Sequence, residues 1–240
     1  MREIKDGAIF ISDAHDNDIR KGFHNFLLKL QKQPQKPPQL FLMGDMFELL
    51  VGEVSYTKSL FKETIEIINT LSKEMEVLYF EGNHDFNLKD IFPNVKIYPI
   101  KNQPVSFSFN DKKILLSHGD FTQGSGYALY TLIIRTSFVL KLLNFIDSLI
   151  KNSISKKIIE KGKDKNICYK IKNFEDRIKQ KLEKYDIGVT EIDFIGEGHH
   201  HQDRKFSFKS LKYINFSCFA CDNSYYQITF KDGIKFIKIS

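Results

Sequence analysis

The amino-acid sequence predicts an α/β fold, and three observations carry that expectation. Five short apolar runs each end in a polar turn, amphipathic helical patterns separate the early runs, and the stretch 205–240 alternates aromatic with polar side chains. The first run, Ala8-Ile9-Phe10-Ile11, leads into Ser12-Asp13-Ala14-His15. Gly22–Lys32 then reads as a helix, which Pro34, Pro37 and Pro38 end by forcing extended backbone. The second run, Leu40-Phe41-Leu42-Met43, closes on Gly44-Asp45, and Ser59–Met75 reads as the next helix. Val77-Leu78-Tyr79-Phe80 leads into Glu81-Gly82-Asn83-His84-Asp85, which makes the early chain βαβαβ. Ile114-Leu115-Leu116 leads into Ser117-His118-Gly119-Asp120, and Asp193-Phe194-Ile195-Gly196 into Glu197-Gly198-His199-His200-His201. Short apolar runs bounded by Gly and Asp read as buried strands. The stretch 205–240 reads as antiparallel strands with Asp232-Gly233 as a hairpin turn. In such sheets ligands gather beyond the carboxyl ends of the strands, where all five polar turns fall.

With 240 residues, 42% of them hydrophobic, the chain can bury a core as one domain, 1–240, with an insertion at 122–186. Thirteen Gly and six Pro are too few for a low-complexity or fibrous chain. Cys168, Cys218 and Cys221 are too few for a disulfide framework, so a reducing compartment is the default. The start, Met1-Arg2-Glu3-Ile4-Lys5-Asp6, has no apolar h-region, which argues against secretion. The net charge of +6 belongs to one segment: 122–186 holds 14 Lys and Arg against 7 Asp and Glu, while the rest holds 22 against 23.

That insertion contains a long apolar stretch, Tyr127–Ile150, in which Arg135, Lys141 and Asp147 are the only charges. Three charges in such a stretch argue against a spanning helix. Ser137, Lys141, Asn144, Ser148, Lys151 and Ser155 recur at spacings of three and four, one polar stripe on a helix otherwise apolar. Two readings of that surface stand open: a helix packed into a core or dimer interface, and a helix that meets lipid or an acyl chain beside Lys-rich sequence.

Six of the seven His lie in the polar turns; His24 is the exception. Asp, Asn and His together are mixed hard and borderline donors, suited to Mn²⁺, Fe or Zn²⁺ in five- or six-ligand sites. Their number suggests two ions sharing a bridging carboxylate, about 3.5–4 Å apart, an arrangement that clamps both oxygens of a phosphoryl transfer.

Asp13-x-His15, Gly44-Asp45, Gly82-Asn83-His84-Asp85, His118 and Gly198-His199-x-His201, in that order, resemble the motif series of the calcineurin-like metallophosphoesterases. The resemblance implies a four-layer α/β/β/α sandwich of two mixed sheets. It implies one metal held by Asp13, His15 and His201, another by Asn83, His118 and His199, and Asp45 bridging them. His84 would reach the phosphate and protonate the leaving oxygen, with Asp85 orienting its ring.

Taken singly, each motif has an ordinary reading: Asp-x-His as a turn with a surface His, Gly-Asp as a common dipeptide, His199-His200-His201 as a chance cluster. Asp120 and Glu48 read as supporting residues, and His200 has no assigned role. Cys218-Phe-Ala-Cys221 has zinc or redox spacing but no second pair, and reads as a core strand. Gly196-Glu-Gly198 lacks the third glycine of a dinucleotide fingerprint. Ser117 and His118, adjacent on a strand, face opposite ways and make no nucleophile–base pair.

Within the family, Gly44-Asp45-Met46-Phe47-Glu48 lacks the following Asp and Arg of the Ser/Thr protein phosphatases, and the third motif ends in Asp85 where theirs has Glu. The sequence is most similar to the UDP-2,3-diacylglucosamine pyrophosphohydrolases of lipid A synthesis. Gly44–Glu48, Gly82–Phe86, and His118-Gly119-Asp120 followed by Gly126-Tyr127 and Arg135 carry that similarity. His84 stands where the best-known branch has Arg, which marks a divergent branch. The resemblance implies two divalent ions, Mn²⁺ first, with Fe or Zn as alternatives. It implies a lipid-linked nucleotide-sugar substrate, a helical lid at 122–186, and substrate contacts from Asn83, Tyr127 and Arg135. It implies a cytoplasmic enzyme peripheral to the inner membrane, with no nucleic-acid partner. Two rivals remain: a nuclease or other phosphodiesterase using the basic insertion, and a metal-free scaffold binding a partner through the apolar helix.

Overall fold

A computed structural model describes residues 1–120, 134–184, 192–231 and 233–240. Two six-stranded mixed sheets face each other with helices outside. One sheet is built on β2 (Ile9–Ile11), β3 (Gln39–Leu42), β5 (Glu76–Phe80) and β7 (Lys96–Tyr98), all parallel, with β13 (Tyr225–Thr229) and β14 (Lys235–Ile239) added antiparallel at its other edge. The second has the order β1 (Arg2–Glu3), β8 (Val105–Phe109), β9 (Lys112–Ser117), β10 (Phe194–Glu197), β12 (Leu211–Asn215) and β11 (Arg204–Phe208). Here β10 runs parallel to both β9 and β12. A two-stranded pair, β4 (Leu50–Val51) with β6 (Asp85–Phe86), completes the strands.

Strand periodicity explains the layering. Ile9, Ile11, Leu40, Leu42, Val77 and Tyr79 point outward onto α1 (Gly22–Lys32) and α3 (Lys62–Glu74). The alternate residues Phe10, Phe41, Leu78 and Phe80 point inward with Phe236 of β14 and meet Phe107, Ile114, Leu116 and Phe216 from the other sheet. Phe10 and Phe41 stack with centroids 4.4 Å apart. On the far side Leu115, Ile195, Leu211 and Tyr213 receive Phe174, Ile178 and Leu182 of α6 (Phe174–Lys184). Both faces of each sheet are covered, so the central strands read as unbroken apolar runs.

Several expectations are corrected. The helix expected at Ser59–Met75 is two helices, α2 (Ser55–Leu60) and α3, with Phe61 between them. The long apolar helix ends at Leu149: α4 (Ser137–Leu149) and α5 (Ser153–Lys163) are separated by Lys151 and Asn152, both with positive φ. The break is held by Asp147, whose carboxylate accepts the N–H of Ile154 at 2.8 Å and the hydroxyl of Ser155 at 2.5 Å. The polar stripe therefore does not run on one helix, and Ser155 is buried. The stretch 205–240 is shared between the sheets rather than forming one antiparallel set; the β13–β14 hairpin forms, while Asp232 lies outside the described residues. Cys221 lies in a helical turn, α7 (Phe219–Asp222), and Cys168 is bonded to it. A helical turn thus replaces the expected core strand, and Cys218 is the free, buried thiol.

Candidate metal centre

The strand ends deliver the motif residues to one crevice. Asp13 and His15 follow β2, Asp45 follows β3, Asn83 follows β5, His118 follows β9, and His199 and His201 follow β10. Potential ligand atoms of Asp13, His15 and His201 lie within 4.8 Å of one another, and so do those of Asp45, His118 and His199. Both sheets contribute, so neither half of the sandwich could build the cluster alone.

Backbone conformation at these positions is unusual. Asp13, His15, Asp45, His199 and His201 all have positive φ, between 42° and 63°. Non-glycine residues rarely adopt this region, and strain of this kind concentrates where the fold holds functional groups. The motif glycines are needed for closeness: a Cβ on Gly82 would lie 2.2 Å from Asp45 Oδ1, and one on Gly198 would lie 2.1 Å from Ser12 Oγ.

Hydrogen bonds fix which imidazole nitrogen faces the cluster. His118 Nδ1 lies 2.9 Å from the Met43 carbonyl, and His201 Nδ1 lies 2.6 Å from the Ile167 carbonyl. A carbonyl only accepts, so each Nδ1 carries the proton and each Nε2 is left as a ligand atom. His118 Nε2 is 3.4 Å from Asp45 Oδ2, and His201 Nε2 is 3.2 Å from Asp13 Oδ1. Asp13 also accepts the His199 N–H at 3.0 Å and the hydroxyl of Ser12.

The electrostatics suit cations. Burial opposes charge on Asp45, but the imidazoles of His118 and His84 hold its carboxyl well below the usual carboxylate range. Burial likewise opposes Asp13, yet His201 beside it brings the carboxyl down to about 2. Against its own burial, His201 is pushed up to about 12 by Asp13. His15 and His199 go the other way, to about 3, because burial dominates there. Buried carboxylates thus hold positive charge in place, and the lone pairs that take protons are those a metal takes. Both ring nitrogens of His15, His118 Nε2 and Asn83 Oδ1 are buried without a hydrogen-bond partner. Such groups are costly to leave unsatisfied, and divalent ions would satisfy His118 Nε2, Asn83 Oδ1 and one nitrogen of His15, the other carrying that ring's proton. The donor set fits the expected metals.

The roles expected beside the ligands divide. The His84 ring lies at the crevice with Nδ1 2.7 Å from the Glu48 carbonyl, and its main-chain N–H donates to Asp45 Oδ1 at 2.8 Å. Asp85 does not orient that ring, which corrects the expectation. Its fully buried carboxylate accepts from the main-chain N–H groups of Asp45 at 3.0 Å, Met46 at 2.5 Å and Gly82 at 3.0 Å, and from the Tyr79 hydroxyl at 2.6 Å. Asp85 braces the loops that carry Asp45 and Asn83. Arg135 packs over the Phe86 ring at 4.8 Å, donates to the Gly82 carbonyl at 3.0 Å and lies 3.7 Å from Asp120. Tyr127 lies outside the described residues. His200 rests against Phe174, with ring centroids 5.5 Å apart.

Glu48 is closer to the centre than its sequence reading suggests, grouping with His15 and His84 as a third possible ligand set. An acid inside the apolar run Met46-Phe47-Glu48-Leu49-Leu50 was the signal available for it. Its partner Arg20 has no motif around it.

A sequence profile of the family described as calcineurin-like phosphoesterase matches residues 8–203. A protein of Coxiella burnetii called UDP-2,3-diacylglucosamine hydrolase is 25% identical over 200 residues, covering 81% of this chain and 80% of its own. One of Wigglesworthia glossinidia brevipalpis with the same name is 25% identical over 211 residues, 86% of this chain and 84% of its own. Among solved structures, an archaeal phosphodiesterase aligns with TM-score 0.44 at 13% identity, over 97% of this chain and 98% of that one.

Proposed function

The chain belongs to the calcineurin-like phosphoesterases, and from that premise we propose that it hydrolyses UDP-2,3-diacylglucosamine to UMP and 2,3-diacylglucosamine 1-phosphate in lipid A synthesis. One observation carries the choice of substrate: an apolar groove of about 280 Å³ meets the ligand cluster at Asn83. Leu49, Val54 and Phe86 form its floor, and Leu140, Leu143 and Ile158 of α4 and α5 form its cover. Each methylene buried there contributes about 0.8 kcal/mol, so a groove of this kind favours an acylated substrate over a plain nucleotide. The relatives called UDP-2,3-diacylglucosamine hydrolase support the same reading.

On this reading Asp13, His15 and His201 would hold one divalent ion, Asn83, His118 and His199 another, and Asp45 would serve both. Two ions bound there, Mn²⁺ first among them, supply Lewis acidity to the phosphoryl oxygens and a water acidic enough to attack at neutral pH. Hydrolysis would place the water oxygen on the α-phosphorus and break the bond to the bridging oxygen, which would leave with the sugar phosphate. His84, its Nδ1–H held by the Glu48 carbonyl, would donate a proton from Nε2 to the oxygen leaving with the sugar phosphate, while the proton shed by the attacking water passes to solvent. Arg135 has a buried Nη1 without a partner, and its planar guanidinium suits a phosphate oxygen next to Asn83. Tyr127 remains a proposed contact.

The insertion 122–186 is proposed as the lid over the acyl chains. Phe138, Phe145 and Leu149 of α4 are exposed, and Lys141, Lys151 and Lys157 lie among or beside them in the chain. An apolar face rimmed by Lys suits the anionic inner face of the cytoplasmic membrane. No described helix is long and apolar enough to cross a membrane.

The test is hydrolysis of UDP-2,3-diacylglucosamine by purified protein with Mn²⁺, beside a chromogenic phosphodiester and the His84→Ala variant. Lipid turnover lost on chelation and in the variant supports the reading. Turnover of the chromogenic ester alone would retain a phosphodiesterase and discard the lipid substrate.

A further inference from the structure

Two residues outside the motif series join the end of α5 to the metal centre. Glu48 is 2% exposed, and its Oε2 lies 3.0 Å from Arg20 Nη1 and 3.4 Å from Asn17 Nδ2. The other arm of the Arg20 guanidinium donates to the Lys163 carbonyl, the last of α5, at 2.8 Å. Lys163 in turn reaches Asp18 at 2.7 Å, so the loop 17–20 grips the helix end twice. Gly162 lies directly on the Glu48 carboxylate: a Cβ there would sit 1.8 Å from Oε1 and 2.5 Å from Cδ. The same carboxylate is 3.7 Å from His84 Nδ1 through Oε1 and 4.0 Å from His15 Nδ1 through Oε2.

We infer that Arg20 and Glu48 are positioning residues that latch α5 over the metal centre, so that the acyl-covering helices are held in place by one buried contact. The inference rests on reading α4 and α5 as the cover of an acylated substrate. Its physical basis is the buried carboxylate. Glu48 needs a partner to remain charged where it sits, and Arg20 supplies it through Nη1 while Nη2 donates to a helix C-terminal carbonyl. A cation at a helix C-terminus is favoured by the unpaired carbonyls there. Glycine at 162 costs helix propensity against alanine. Its place is explained by the contact, since any side chain would displace Glu48.

The test uses amide hydrogen exchange on the full-length protein, with Arg20→Ala, Arg20→Lys and Gly162→Ala, and kinetics on the acylated substrate and on a small chromogenic phosphodiester. Exchange across 153–163 should quicken by about ten-fold or more in Arg20→Ala and Gly162→Ala, with 62–80 unchanged. Alanine favours a helix, so quickening in Gly162→Ala cannot come from propensity. Arg20→Lys should recover part of the protection. KM for the acylated substrate should rise by about ten-fold in Arg20→Ala, well beyond any change in kcat. Unchanged exchange over 153–163, or loss of protection spread evenly over the chain, would overturn the latch. So would a parallel fall in turnover of both substrates with no rise in KM. If the wild type ignores the acylated substrate, the proposed function fails, and the exchange data still decide whether the latch exists.

Discussion

The carboxylate of Asp85 accepts the main-chain N–H of Asp45 at 3.0 Å and so sets the position of the residue that lies between the two halves of the ligand cluster. All four of its recorded partners are donors. Replacing Asp85 with Asn turns an amide N–H toward groups that can only donate or already do. Asp85→Asn should weaken Mn²⁺ binding by about 10–100-fold, as losses of supporting bonds to ligands do. Calorimetric titration checks this. Unchanged metal affinity with a lowered kcat would instead return Asp85 to the role of orienting His84.

His84 makes the opposite prediction. Its Nδ1 is committed to the Glu48 carbonyl, and the two main ligand groups are complete without it. His84→Ala should retain two metal ions per chain by elemental analysis while kcat falls by about 10²–10⁴-fold. Loss of an ion in that variant would make the His15–Glu48–His84 group a ligand set.

Metal removal should destabilise the protein. Binding would satisfy His118 Nε2 and one of the two buried, unpartnered nitrogens of His15, and ions that bind only the folded state stabilise it by mass action. At free metal a hundred times Kd, one site contributes about 2.7 kcal/mol. Thermal melts with Mn²⁺ against excess chelator should differ by several degrees. Superimposable melts would count against the cluster as a metal site.

The exposed face of α4 is testable apart from catalysis. Phe145→Asp combined with Leu149→Asp should abolish flotation with vesicles containing anionic lipid. Both side chains are solvent-exposed, so stability should stay within about 0.5 kcal/mol. Equal flotation of variant and wild type would remove the membrane from the proposal.

Much of the candidate centre is legible in the sequence. Asp13, Asp45, Asn83, His118 and His199 sit at the carboxyl ends of apolar runs, and the placement of those turns follows from strand length and the alternation of layers. Helix Gly22–Lys32 was bounded by its prolines, and the βαβαβ start by its period. Local chemistry and periodicity act over a few residues, and those features are of that range.

Other features depend on residues far apart in the chain. Arg20 meets Lys163 across 143 positions, and His201 finds the Ile167 carbonyl only because the chain after α5 folds back over the centre. The pairing of Cys168 with Cys221 and the break between α4 and α5 at Asn152 are of the same kind. Sequence by itself determined the donors, their order and the strands that carry them. Tertiary packing decided which nitrogen each imidazole presents, what braces Asp45, and where the apolar helices rest. Those depend on buried partners whose free energy is realised only when distant segments exclude water together.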